Sequence, residues 1–107
     1  MKLKRKAIEI TDSDCNPLLS VPSALVSDHF ALFKEVDPNK RSENDNYNIT
    51  HLLTGGRVTG AYSHASGRNA IEKLEALRND WHLLNASNAN EYASPELLTI
   101  FYDAKGI

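Results

Sequence analysis

Residues 47–78 decide the fold, and they read YNITHLLTGGRVTGAYSHASGRNAIEKLEALR. Two β-prone runs, 47–53 and 57–62, flank the pair Gly55-Gly56. Paired glycines supply the positive φ angles that a tight turn between strands requires. Further along, apolar residues recur at steps of three and four, which is the pattern of an amphipathic helix. The segment therefore predicts an antiparallel β-hairpin that leads into a helix.

Two helices are predicted in the second half of the chain. The first covers residues 67–79, with Ser66 as its N-cap, because a serine hydroxyl can accept a first-turn backbone N–H. The second covers residues 95–104: a serine precedes Pro95, and proline favours the first position of a helix. Gly106 suits the end of this helix, since glycine readily adopts the left-handed conformation of a C-terminal cap.

The rest of the sequence predicts two further strands and several shorter elements. Alternation of apolar and charged residues predicts a strand over 6–10, and a mostly apolar run predicts another over 30–36. A short helix is predicted over 23–28, and a short strand or packed extended segment over 81–84. Residues 37–46 contain no apolar side chain and predict a solvated loop. The fold class is therefore α+β, with a three- or four-stranded antiparallel sheet packed on one face by two helices.

Length and composition predict one domain over residues 1–107. The chain is 41% hydrophobic and 24% charged, close to an ordinary globular protein. The four histidines are too far apart in sequence to form a local metal site. No nucleophile elbow or paired acid and base stands out. We therefore expect a non-enzymatic protein with no catalytic residues, no metal and no cofactor.

Compartment is predicted from cysteine usage and hydropathy. The only cysteine, Cys15, cannot form an intramolecular disulfide, which favours a reducing environment. The basic start is not followed by an apolar run, and no stretch approaches the length of a membrane span. The sequence therefore predicts a soluble cytoplasmic protein without membrane association.

Function is predicted mainly from these exclusions. The leading hypothesis is a small binding protein that occupies a surface on a macromolecular partner. Its acidic residues Asp37, Glu43 and Asp45 would engage a basic protein, such as one that itself binds nucleic acid. By analogy with other small acidic domains, it would be an inhibitor or accessory factor of phage or mobile-element type, for example an anti-defence protein.

An alternative hypothesis is a nucleic-acid-binding regulator. Basic and aromatic side chains cluster around the end of the hairpin and the start of the first helix, where free N–H groups favour anions. The candidate residues are Arg57, Tyr62, His64, Ser66 and Arg68, aided by the basic residues 2–6. In the simpler interpretation, Ser66 only caps the helix and both arginines are solvated. A third hypothesis is a catalytic or accessory subunit whose site is completed by a partner chain.

Overall fold

The computed structural model describes residues 3–35 and 46–107. Five strands form one antiparallel sheet in which each strand pairs with the next along the chain. The strands are β1 (Lys4–Thr11), β2 (Pro17–Val26), β3 (Phe30–Lys34), β4 (Tyr47–His51) and β5 (Arg57–Ala61). The helices are α1 (His64–Leu77) and α2 (Pro95–Lys105), with short 3₁₀ turns at Trp81–Leu83 and Ala89–Tyr92 between them.

The α+β class is confirmed, but the predicted count of three or four strands is too low. The short helix predicted over 23–28 is wrong, because Ser23 to Val26 belong to β2. A bulge explains the error: Pro22 and Ser23 together oppose a single residue of β1. Proline has no N–H to donate, so it is tolerated at bulges. The bulge also breaks the two-residue alternation by which a strand is identified in a sequence.

Three smaller predictions are also corrected. β3 ends at Lys34 and β4 at His51, each two residues earlier than predicted. Residues 81–83 form a 3₁₀ turn in place of the predicted strand or extended segment. Most of the loop predicted over 37–46 lies outside the described residues.

Both faces of the sheet are covered. The helix face packs against α1 and α2 through one apolar cluster that includes Phe30, Leu32, Ile49, Ile71, Leu74 and Ile100. The opposite face of the sheet is here called the hairpin face. There the β1–β2 hairpin packs on β3 through Ile10, Val21, Ala24, Ala31 and Phe33. The bulge makes this second cluster possible, because it keeps Val21 on the same face as Ala24.

Helix α1 begins three residues before its predicted start and ends two residues before its predicted end. Its N-cap is Ser63, and not Ser66 as predicted, because Ser63 Oγ accepts the Ser66 backbone N–H at 3.1 Å. Ser66 Oγ accepts the Ser63 backbone N–H in return. The two serines therefore form a reciprocal capping box at the helix N-terminus.

Helix α2 starts at Pro95 as predicted, and Ser94 Oγ caps it by accepting the Leu97 N–H at 3.1 Å. It ends one residue later than predicted, and Gly106 adopts the left-handed conformation at φ +75°. The end of α2 also fixes the end of β5, because the Tyr62 N–H donates to the Ala104 carbonyl at 3.0 Å.

Candidate functional site

A mostly apolar cleft of about 410 Å³ opens between β5, α2 and the segment that joins the two helices. Here it is called the cleft, and its main walls are Val58, Trp81, Leu84, Tyr92, Leu97 and Phe101. Small-molecule and side-chain pockets in proteins have volumes of several hundred Å³ and similar apolar walls. This surface is therefore a candidate binding site with mostly apolar walls.

Trp81 forms the base of the cleft and is only 2% exposed. Its indole N–H donates to the Leu74 carbonyl at 2.7 Å, which satisfies the only polar atom of the side chain. Its ring centroid lies 5.1 Å from that of Phe30 in an edge-on arrangement and 5.4 Å from that of Tyr92. The base of the cleft is therefore continuous with the core on the helix face.

The wall formed by Tyr92 is held by a small polar cluster. The Tyr92 hydroxyl donates to the Asp80 carbonyl at 2.8 Å, and the Arg78 guanidinium lies 3.9 Å above the centre of the tyrosine ring. Arg78 also donates to both carboxylate oxygens of Asp80, at 2.8 and 2.9 Å. These hydrogen bonds lower the pKa of Asp80. A planar two-point contact of this kind orients Arg78 over the ring.

His51 lies behind the cleft and is fully buried. Its Nε2 is 2.8 Å from the Trp81 carbonyl, and its Nδ1 is 2.9 Å from the Thr54 hydroxyl. A carbonyl only accepts, so Nε2 carries the proton and Nδ1 accepts from Thr54. Burial lowers the pKa of His51, which favours this neutral form. Both ring nitrogens of His51 are therefore engaged in hydrogen bonds within the fold.

A second group of histidines lies at the same end of the sheet. Glu75 is almost buried, and its carboxylate receives the His29 backbone N–H at 2.9 Å and contacts His29 Nδ1 at 2.6 Å. Burial alone would raise the pKa of Glu75, but hydrogen bonds from His29 and Ser27 lower it. His82 stacks on His29, with ring centroids 6.3 Å apart. A hollow of about 390 Å³ lies beside these rings.

Sequence reasoning missed this histidine and glutamate pair. Glu75 lies on α1, and its side chain turns inward to the loop before β3. His29 and Glu75 are 46 residues apart, so no local spacing links them. Among residues 3–35 and 46–107, no group of three or more His, Cys, Asp or Glu side chains is arranged to hold a metal ion.

The predicted anion-binding residues are only partly brought together. Ser66 Oγ donates to the Ala104 carbonyl at 2.9 Å and belongs to the capping box, so it ties α1 to α2. Arg68 is exposed on α1, and Tyr62 is 47% exposed. Arg57 turns to the hairpin face, where its Nε lies 3.6 Å from the carboxylate of buried Glu35.

His64 remains at the predicted place and gains a basic neighbour from β1. Arg5 NH2 lies 3.1 Å from His64 Nε2, and Arg5 NH1 donates to the Ser23 hydroxyl at 3.0 Å. Because arginine only donates, His64 Nε2 accepts this hydrogen bond. A hollow of about 470 Å³, here called the basic hollow, lies alongside and is lined by Lys34, Asn46, Tyr47, Tyr62, Ser63 and His64.

Two further predictions concern other parts of the chain. Asp37, Glu43 and Asp45, the predicted acidic contact residues, lie outside the described residues. Within residues 3–35 and 46–107, no helix has the length and apolar character needed to cross a bilayer.

In comparisons with known proteins, no family model, no curated protein and no solved structure matches this chain.

Proposed function

We propose that this protein is a non-enzymatic binding module that occupies a surface on a partner protein. In this proposal the cleft receives an apolar side chain of the partner. The observation that carries the proposal is the cleft itself, a preformed space of about 410 Å³ with aromatic and aliphatic walls. Binding energy at protein interfaces concentrates on a few side chains that enter such pockets.

The hydrogen bonding of the walls supports an apolar occupant. The polar groups of Trp81, Tyr92 and His51 all have partners within the protein. An apolar side chain entering the cleft would therefore leave none of these groups without a hydrogen bond, a loss that would otherwise oppose binding. Full burial of one leucine or phenylalanine side chain contributes about 1.5–3 kcal/mol.

Selection of peptides from a random library against the immobilised protein tests this proposal. We expect enrichment of sequences with a leucine or an aromatic anchor, and binding is measured by fluorescence anisotropy. Ala89 is exposed and lines the cleft, so Ala89→Phe should fill the space and weaken binding at least about tenfold, a loss of about 1.4 kcal/mol.

Ala76→Phe is the matched control, because Ala76 is an exposed alanine on α1 that does not line the cleft. This variant should bind as the unmodified protein does. Equal binding by both variants, or failure to enrich any peptide with an apolar anchor, would contradict the proposal.

A nucleic-acid-binding regulator is the second candidate, and the contact between Arg5 and His64 favours it. This contact joins the basic start of the chain to the N-terminal end of α1, as the alternative hypothesis requires. Tyr47 and Tyr62 line the basic hollow beside them, and aromatic rings can stack on bases. The ligand expected here is a single-stranded nucleic acid.

Binding of labelled DNA and RNA oligonucleotides at several salt concentrations tests this candidate. Affinity should fall steeply with salt, because phosphate contacts release counterions. Arg5→Glu combined with Arg68→Glu should abolish binding, while Arg57→Glu should have a smaller effect because Arg57 turns to the hairpin face. Absence of binding at about 0.15 M salt would eliminate the candidate.

The finer parts of the leading proposal come from the sequence. A module that only occupies a partner surface would act as an inhibitor or accessory factor, and its small acidic character favours the phage or mobile-element type. We propose the cytoplasm as its compartment. If Glu43 and Asp45 steer a basic partner, reversing both charges should mainly slow association.

A further inference from the structure

The outer edge of β1 is open to another strand. β1 is the first strand of the sheet, and no described strand pairs with its far side. Ser27 N–H donates to the Phe30 carbonyl at 2.9 Å, so the odd-numbered residues at the end of β2 bond to β3. Its even-numbered residues therefore bond to β1, where Lys4 and Lys6 are their partners.

Alternate residues of a strand direct their backbone groups to opposite sides. Since Lys4 and Lys6 bond to β2, the backbone N–H and C=O groups of Arg5, Ala7 and Glu9 point outward. The register irregularities of the hairpin leave the extra residues in β2, so β1 itself keeps a regular alternation. All three of these residues are also exposed. β1 therefore presents a regular edge whose outward hydrogen-bonding groups face no strand among the described residues.

Charge along β1 is divided between its two ends. Lys4, Arg5 and Lys6 make its start basic, and Glu9 makes its second half acidic. The turn that follows adds Asp12, whose carboxylate accepts the backbone N–H groups of Asp14 and Asn16. Hydrogen bonds from Asn16 lower the pKa of Asp12 and so keep it ionised. An antiparallel copy of this strand would therefore place basic residues beside acidic ones.

We propose that β1 pairs with β1 of a second copy of this chain, so that two sheets join into one. The two-fold axis passes at Ala7, and this register places Arg5 opposite Glu9 of the second copy, and the reverse. In an antiparallel pair, residues directly opposite one another have their side chains on the same face of the sheet. When two identical strands pair in this way, the numbers of opposite residues must add up to an even number. Pairing about Ala7 meets this requirement and forms two symmetric ion pairs.

The side chains at the axis allow this pairing. Ala7 is small and meets its own copy there, so no bulky groups collide. Arg5 uses one hydrogen bond each to Ser23 and His64, and a guanidinium has five N–H donors in total. It can therefore contact Glu9 of the second copy without leaving these partners. Lysines on an edge strand usually discourage pairing with foreign strands. In the proposed pairing of two β1 strands, the two ion pairs between Arg5 and Glu9 offset this unfavourable effect of the lysines.

Analytical ultracentrifugation of the whole protein tests the dimer over a range of about 1–500 µM. We expect the average mass to rise from that of a monomer toward that of a dimer. Arg5→Glu alone and Glu9→Arg alone should each weaken dimerisation at least about tenfold, because each places like charges opposite one another. The double variant Arg5→Glu with Glu9→Arg should restore the dimer.

Arg5 and Glu9 are both exposed, so none of these substitutions should disturb the fold. Thermal unfolding of each variant checks that the fold is intact. Ala7→Pro should also abolish the dimer, because it removes an outward N–H that the β1–β2 pairing does not use. A monomer at about 500 µM, or single variants that dimerise as well as the unmodified protein, would overturn the proposal. Failure of the double variant to dimerise would overturn the register.

Cross-linking tests the register independently in a Cys15→Ser background. Ala7→Cys should form an intermolecular disulfide under mild oxidation, because the two Cα atoms would lie about 5.5 Å apart, within the range that a disulfide spans. Lys4→Cys is the control, since the two copies of residue 4 would lie about 20 Å apart along the strands at about 3.4 Å per residue. Equal cross-linking by both variants would overturn the proposed pairing.

Discussion

Gly55 shows how one residue can control the approach of two parts of the sheet. It takes a φ of +71° in the turn between β4 and β5, whereas Gly56 has no positive φ. A Cβ on Gly55 would also overlap the carbonyl oxygen of Thr11 at the tip of the β1–β2 hairpin. The turn glycine thus sets both the local conformation and the contact with this distant tip.

Gly55→Ala should lower the free energy of unfolding by about 2–3 kcal/mol, from backbone strain and the overlap with Thr11. Gly56→Ala is the matched control and should change it by less than about 0.5 kcal/mol. Chemical denaturation of both variants measures the difference. Equal effects at the two positions would contradict this account of the turn.

Buried His51 should make stability depend on pH. Its pKa is lowered from 6.5 by burial, so the unfolded chain binds a proton more readily than the folded protein. The free energy of unfolding should therefore fall as the pH drops below about 6.5. Glu75, whose pKa is lowered from 4.5, adds a further loss at lower pH.

His51→Gln provides the control, because glutamine can still donate to the Trp81 carbonyl but does not titrate. Denaturation between about pH 5 and 7 should show a smaller slope in this variant, since the imidazole whose pKa is lowered on folding is gone. An unchanged slope would mean that His51 is not the source of the pH dependence.

The elements differ in how far their own sequences predict them. β4, β5, α1 and α2 carry local signals, namely a glycine turn, a helical apolar stripe, Pro95 and Gly106. β2 could not be recognised, because its bulge at Pro22 hides the alternation and its apolar partners lie on β1 and β3. The cleft could not be predicted from the sequence either, because its walls come from β5, the 81–92 segment and α2, and no sequence motif links these three parts.

The capping box provides a test at the level of the helix. Ser63→Ala should lower the free energy of unfolding by about 1 kcal/mol, because it removes the acceptor of the Ser66 N–H. Ser87→Ala is the control at an exposed loop serine and should have little effect. If Ser66 were the cap, as the sequence predicts, Ser63→Ala would be as mild as the control.

At the scale of the whole molecule, the candidate surfaces lie on different parts of the fold. The cleft lies beside β5 and α2, the basic hollow lies between the end of β3, the start of β4 and the start of α1, and the open edge belongs to β1. Among the described residues, the cleft and the edge of β1 approach each other only at Ser13, in the turn after β1, which lines the cleft. Partner binding and self-association can be measured separately, because Ala89 belongs only to the cleft and Arg5 and Glu9 only to β1.

The fluorescence of Trp81 tests the cleft as the binding site most directly. Trp81 is the only tryptophan of the chain and forms the base of the cleft. Titration with a tryptophan-free peptide that carries the selected apolar anchor should change its emission in a saturable way, with the dissociation constant found by anisotropy. Ala89→Phe should abolish the change and Ala76→Phe should preserve it. Tight binding of the peptide with no change in Trp81 emission, or with the same change in the Ala89→Phe variant, would contradict the cleft as the binding site.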